Sequence, residues 1–410
     1  MSSSPPGEVA QMSRTIDLES LLSATPDDSF EAGIRIDTEL SPLAGPGGPV
    51  KPAVYEGGRY QKDGRWDSPE DDEATPVIVI DNVPSQANRL ERALRRNRDR
   101  VPVPEFVLDL SSLPNLPAHL PKRLSSLEFP HRNADAYLRD ARLGDEDFIK
   151  TDLGKAIFGA TAQEAGPLMA WFPQALLYGF WQSHLGKKRA NTKHARAWVS
   201  EIVGWRPAAR DTRVLGLKGD PLNLSVNETV VSNPDDRAKW TLGGSGQVEG
   251  GKKDKLSEMG HGQVPFMGDE AAAAAVSFAR VSQRATVSFA QLRRVSLGDG
   301  YSAAADAASR ALLVALGLYA HAHAFGGSFA LRSGADLRPS RSTVTWLGDE
   351  RDDECALGDS DVTAALLRDA LEHAKSVGVP LEGWREEPVV LSPKGNLRKA
   401  IRATWPDLAD

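Results

Sequence analysis

Short apolar segments occur along this chain in pairs, with helical stretches between the pairs. This rhythm constrains the fold most. A doubly wound parallel sheet needs single strands alternating with helices, whereas paired strands between helices predict an α+β fold. Strand candidates are Val77–Ile80, Phe106–Leu110, Ala197–Val203, Ala275–Val281, Ala285–Phe289, Ser328–Leu331 and Thr343–Trp346. Helices are expected over residues 85–98, 166–184, 303–325 and 362–377, with Asp81 and Ser85 as alternative caps of the first. Pro173 should kink the second helix or mark its true start. A length of 410 residues suggests about two domains, or one elaborated domain. No repeat of about 20–50 residues recurs, which excludes solenoids and propellers.

Breakers divide the chain further. Residues 1–75 are rich in Pro, Gly, Ser and Asp and read as an acidic leader, with at most a short helix over Ile16–Leu22 and a short strand over Ile34–Ile36. Residues 76–214 form a first body segment. Residues 215–270 lose periodicity and carry a Gly/Lys-rich stretch, expected as a mobile excursion or long hairpin. Residues 271–348 form a second body segment, and residues 349–410 hold an Asp-rich loop and a helix.

Several function classes fall away. The single cysteine, Cys355, rules out a disulfide framework and a Cys-rich zinc module. The N-terminus has no basic or apolar signal region, and His321 and His323 interrupt the longest apolar run, so the expectation is a soluble, cytoplasmic protein with no membrane partner. Residues 246–253, GQVEGGKK, nearly meet a phosphate-loop pattern, but Lys253 stands where a hydroxyl must hold Mg²⁺. No nucleophile elbow, zinc-protease or dinucleotide motif is present. His321 and His323, two apart on a helix, face different ways and do not share a metal. The expectation is a protein without a cofactor, a metal or catalytic residues.

Cations carry the remaining signal. The formal charge is -7, yet residues 1–75 contribute -9 and residues 349–361 contribute -6, leaving a basic body. Three groups stand out. Arg89, Arg92, Arg95, Arg96, Arg98 and Arg100 lie on or beside the outer face of the first helix. Lys187, Lys188, Arg189, Lys193 and Arg196 form a run with no acid near it. Arg280, Arg284, Arg293, Arg294, Arg332, Arg338 and Arg341 follow near the later strands. Arginine suits phosphate because its planar fork makes two parallel charge-assisted hydrogen bonds. Each group also has a plain alternative: a solvated face, a helix-end loop, or unrelated surface arginines. Gln86 and Asn88 sit in a strand-to-helix turn where backbone N–H groups can meet phosphate. Met259, His261 and Phe266 belong to the glycine-rich excursion, where an apolar wedge can split a base stack, although Phe266 could equally re-enter the core.

Six ordered strings carry a resemblance. VIVIDNVPSQANRLERAL, FPHRNADAYLRD and FPQALLYGFWQSHLGKKRANTKHARAWVSEIVGW are followed by GHGQVPF, VSFAQLRRVSL and ALLVALGLYAHAHAFGGSFALRSGADLRP. Together, from Val77 to Pro339, they resemble the backbone RAMP subunit (Cas-seven-like family) of type I-U, or I-G, CRISPR effector complexes of the Cascade kind. The resemblance implies a modified RRM-like (ferredoxin-like) palm with inserted finger and thumb elements, the thumb matching residues 215–270. It implies a non-catalytic subunit that polymerises head to tail along CRISPR RNA, contacts other effector subunits, and meets target DNA through the guide. Carried over residue by residue, the candidate RNA contacts are Gln86, Asn88, Arg89, His131, Arg132, Lys187, Lys188, Arg189, Lys193, Arg196, His261, Arg293, Arg294 and Arg332, joined by Arg92, Arg96 and Phe266 from the groups above. Alternatives are a metal-dependent ribonuclease using an aspartate of residues 349–361 or near Asp220, and a scaffold whose acidic arm docks on basic partners. The acidic leader and the Asp-rich loop depart from the family pattern.

Overall fold

A computed structural model describes residues 14–56, 59–114, 116–183, 185, 192–208, 222, 224, 228–243, 248–261 and 275–405. Its framework is one nine-stranded sheet with helices on one face. Seven strands and three helices carry the argument: β1 (Gly33–Pro42), β2 (Lys62–Arg65), β3 (Thr75–Asp81), α1 (Val83–Arg96), β4 (Trp198–Pro207), β5 (Phe278–Ser288), α2 (Ala303–Phe325), β6 (Asp336–Leu347), β7 (Asp352–Ala356) and α3 (Ser360–Ser376). Their order across the sheet is β7-β6-β1-β5-β4-β3-β2. Arg14–Thr15 pairs parallel to β7, and Phe329–Ala330 pairs with β6.

The class is α+β, as the paired strands predict. The topology is more specific. β5 runs antiparallel to both β1 and β4, so β1 and β4 are parallel strands with β5 between them, joined through α1. β1 is antiparallel to both β5 and β6, so β5 and β6 are likewise parallel around β1 and joined through α2. Two split βαβ units therefore interleave.

Alternation decides which face is covered. Ile34 and Ile36 of β1 and Ala285 and Val287 of β5 point into a core shared with Leu90 and Leu94 of α1 and Leu312 and Leu316 of α2. Arg35, Asp37 and Glu39, with Arg280, Ser282 and Arg284, take the opposite face. Helix α2 is apolar nearly all round and long enough, by length and composition, to cross a membrane, but 83% of that window is buried in the fold. It is the core helix. Gly317 stands in its middle because Trp198 lies against it: a Cβ there would meet the indole at 2.6 Å.

Several readings change. The expected leader contributes β1, a central strand of the sheet; its Ile34, Ile36 and Leu40 alternate inward, but surrounding Pro, Gly and Asp hid the pattern. The two segments expected at 275–289 are one eleven-residue strand, because Gln283 and Arg284 keep the alternation while joining polar partners. The helix expected over residues 166–184 ends at Tyr178: Pro173 begins a second short helix after Gly166–Trp171, and the chain then turns at Gly179 into a hairpin of Phe180–Gln182 and Thr192–His194. Within 215–270 the described residues include a three-stranded antiparallel sheet of Thr229–Ser232, Trp240–Leu242 and Lys252–Lys255. Residues 352–356 of the expected acidic loop are strand β7.

Candidate nucleic-acid interface

The cap of α1 is neither expected residue but Asn82, whose side chain accepts from the Ser85 amide. Asp81 is thereby left free for another task. It is fully buried, and its carboxylate accepts from Ser85 Oγ (2.8 Å), Gln86 Nε2 (2.6 Å), Arg89 Nε (2.8 Å) and Arg332 Nη2 (2.9 Å). A buried carboxylate needs this density of donors to stay charged. Three residues expected on the guide are therefore committed inside the protein. Gln86 is buried and also accepts from Gln283 and Ser200. Arg89 reaches the Leu331 carbonyl, and Arg332 reaches the Lys51 and Ile80 carbonyls. Asn88 is exposed on the helix.

The remaining arginines of α1 and its following turn divide sharply. Arg95 pairs with Glu128 (2.7 Å), Arg98 with Glu105 (2.8 Å) and Arg100 with Asp361 (2.6 Å). Arg92 and Arg96 are exposed and make no ion pair among the described residues. They line a cleft of about 400 Å³ with Arg89, Asn97, His323, Ser328 and Phe329, and no lining residue is acidic.

On the other flank of α1 lies a larger cleft of about 860 Å³. Its wall is the hairpin, which brings Trp181, Lys193 and Arg196 together opposite His131, with Val83 and Val199 beneath. Lys193 sits directly across from Trp181 in the antiparallel register. Trp181 is 63% exposed, a large apolar surface open at the cleft. Neither Lys193 nor Arg196 makes an ion pair among the described residues. Burial, and then the nearby Arg132 cation, lower the pKa of Arg196, so its charge is held at a cost that an anion in the cleft would relieve.

Arg132 is a correction to the expected contact set. It is buried at the cleft floor, donating twice to Glu91 (2.7 and 2.9 Å) and once to the Gly179 carbonyl (3.0 Å). Its φ of 54° places it in the left-handed region. Burial pushes the Glu91 carboxyl up, against the pull of Arg132. Gly179 has φ 78°, and a Cβ there would meet the His194 carbonyl at 2.9 Å and Arg196 Cγ at 3.0 Å. The buried pair thus pins the turn that aims the hairpin. His194 is spent inside: its Nε2 lies 2.8 Å from the Leu176 carbonyl, and burial lowers its pKa.

The other expected contacts do not converge here. Arg293 ties the Glu31 and Ala24 carbonyls to the core, while Arg294 is exposed and bonds only Gln291 among the described residues. His261 packs on Trp240 in the three-stranded sheet, with ring centroids 5.7 Å apart. Lys187, Lys188, Arg189 and Phe266 lie outside the described residues, as does Asp220. On the outer sheet face, Arg284 pairs with Asp37 (2.6 Å), Arg280 with Asp67 (2.5 Å) and Arg65 with Glu201. Asp37 and Asp67 of the expected leader thus neutralise two arginines of the basic body, which accounts for part of the segregated charge. In the later acidic stretch, Asp353 pairs with Arg351 and Asp359 caps α3.

The sequence reading missed Trp181 as a site residue. Its signal was an aromatic flanked by Phe180 beside a cation run, and a helix assignment through residue 184 concealed it. Residues 34–208, from β1 to just past β4, match the family model described as CRISPR-associated protein GSU0053. No curated protein matches it.

Proposed function

We propose that this protein is a non-catalytic RNA-binding backbone subunit that polymerises along guide RNA in a type I CRISPR interference complex. The hairpin cleft grips the guide, and recognition of target DNA is left to base pairing. The observation that carries the reading is the juxtaposition of Lys193 and Arg196, without carboxylate partners among the described residues, with the exposed Trp181. Cations that follow phosphates and an aromatic on which a base can stack are the two parts of a sequence-tolerant single-strand site. The interleaved split βαβ units support an RRM-like palm, and the CRISPR family match supports the guide as ligand.

Purified chain carries host RNA that ribonuclease removes, together with its high-mass assemblies. Binding to labelled single-stranded RNA weakens with salt at a log–log slope of ~0.7 per neutralised phosphate. Lys193→Ala with Arg196→Ala weakens binding alike on all sequences, and Trp181→Ala weakens it at constant salt slope. A salt-independent affinity, or wild-type binding by the Lys193/Arg196 variant, refutes the reading. Complementary RNA incubated with the complex and Mg²⁺ stays intact; regular fragments would instead establish the ribonuclease.

A further inference from the structure

The cleft on the Arg92 flank of α1 plays no part in gripping the guide as described above, and we propose that it is a second, separate site for a nucleotide phosphate. Arg92 and Arg96 are one helical turn apart, an arrangement in which like charges repel. Their neighbours Arg89, Arg95, Arg98 and Arg100 each have a carboxylate; these two have none among the described residues. Arg89 spends Nε and Nη2 on Asp81 and the Leu331 carbonyl but still adds positive potential to the wall. No acid lines the cleft to oppose an anion.

The facing wall supplies complementary parts. His323 Nε2 is buried without a hydrogen-bond partner among the described residues. Burial, then the Arg100 cation, lowers its pKa, so the ring is neutral near pH 7 and puts a polar, uncharged group in the wall. The Ser328 hydroxyl stands at the exposed rim. Phe329, packed edge-on against Phe325 at 5.1 Å, offers an apolar patch beside the cations. A volume of about 400 Å³ with one apolar wall and a few convergent polar groups suits one nucleotide, phosphate on the arginines and base toward Phe329.

Separation from the guide cleft follows from helical geometry. Arg89, Arg92 and Arg96 occupy one flank of α1, while Glu91, clamped to Arg132 under the hairpin cleft, occupies the other. A free nucleotide and one unit of a single strand present the same chemistry, so either can be the source.

The test uses the full chain, stripped of nucleic acid by high salt and ribonuclease, with a labelled ten-residue oligouridylate. Arg92→Ala with Arg96→Ala removes two exposed cations and leaves the melting temperature unchanged. It lowers the salt slope by ~1.4 and the affinity at 0.1 M monovalent salt by about 25-fold, the factor that slope implies at that concentration. The same factor appears again in the Lys193→Ala/Arg196→Ala background. Wild-type affinity and slope overturn the proposal, as does a loss that vanishes in that background, which would make the two clefts one site. If Lys193 and Arg196 prove silent while Arg92 and Arg96 do not, the guide-grip reading fails and this one stands. Displacement of the Arg92/Arg96-dependent part by millimolar adenosine monophosphate identifies a free nucleotide as the ligand; resistance to it identifies a strand.

Discussion

Replacing Arg132 by Met tests the idea that a buried ion pair aims the hairpin. The substitution keeps the length of the side chain and removes three donors: two to Glu91 and one to the Gly179 carbonyl. Breaking one half of a buried pair strands the other charge and costs about 3–5 kcal/mol. At ~2.1 cal/mol/K per residue the unfolding entropy of this chain is about 0.9 kcal/mol per degree, so the melting temperature falls by about 5 °C. The effect depends on pH in a definite sense. Burial already raises the Glu91 carboxyl, and loss of Arg132 raises it further. A carboxyl that binds its proton more tightly when folded favours folding at low pH and opposes it as pH climbs past the ordinary carboxylate range. The gap to wild type is therefore wider at pH 8 than at pH 5. Glu91→Leu combined with Arg132→Met leaves no stranded charge and recovers all but about 1–3 kcal/mol, the share of the unpaired Gly179 carbonyl. Differential scanning calorimetry of wild type and the two variants decides the matter. A single variant that melts like wild type, or a double variant worse than the single, refutes the argument.

Three further outcomes follow from geometry already described. Gly179→Ala forces a Cβ to within 2.9 Å of the His194 carbonyl at a positive φ, so it destabilises by about 1–3 kcal/mol and lowers RNA affinity through the tilted hairpin; unchanged melting and binding would contradict this. Asp81→Asn leaves Arg89 and Arg332 sharing no anion and costs about 3–5 kcal/mol, read as a shifted urea midpoint. His321, whose pKa burial lowers to about 4, favours folding above the ordinary histidine pKa and loses that contribution as pH falls toward 4; His321→Phe should flatten the melting curve over that window by up to about 3 kcal/mol, and an unaltered pH profile would rule it out.

Local patterns were legible in the sequence to the extent that their physics is local. The apolar side of α1, the break at Pro173 and the span of α2 follow from local pattern alone. Pairings over long chain distances do not. Arg132 finds Glu91 across 41 residues, Arg280 finds Asp67 across 213, and Arg100 finds Asp361 across 261. A linear reading therefore set Arg89 beside Arg92 and Arg96 as a contact, although only Arg92 and Arg96 among the arginines of α1 and its turn lack a carboxylate among the described residues. The centrality of β1 was obscured for a different reason: three inward apolar residues were outweighed by the Pro, Gly and Asp around them.

The side of the large sheet opposite the helices has a bearing on how the molecule tolerates crowding by polyanions. Arg284 and Arg280 there are already matched to Asp37 and Asp67. A strand laid across these residues would have to exchange one ion pair for another at each step, with almost no release of counterions to drive it. Despite its arginines, that broad surface is electrically quiet, and long-range attraction is left to the edges of α1.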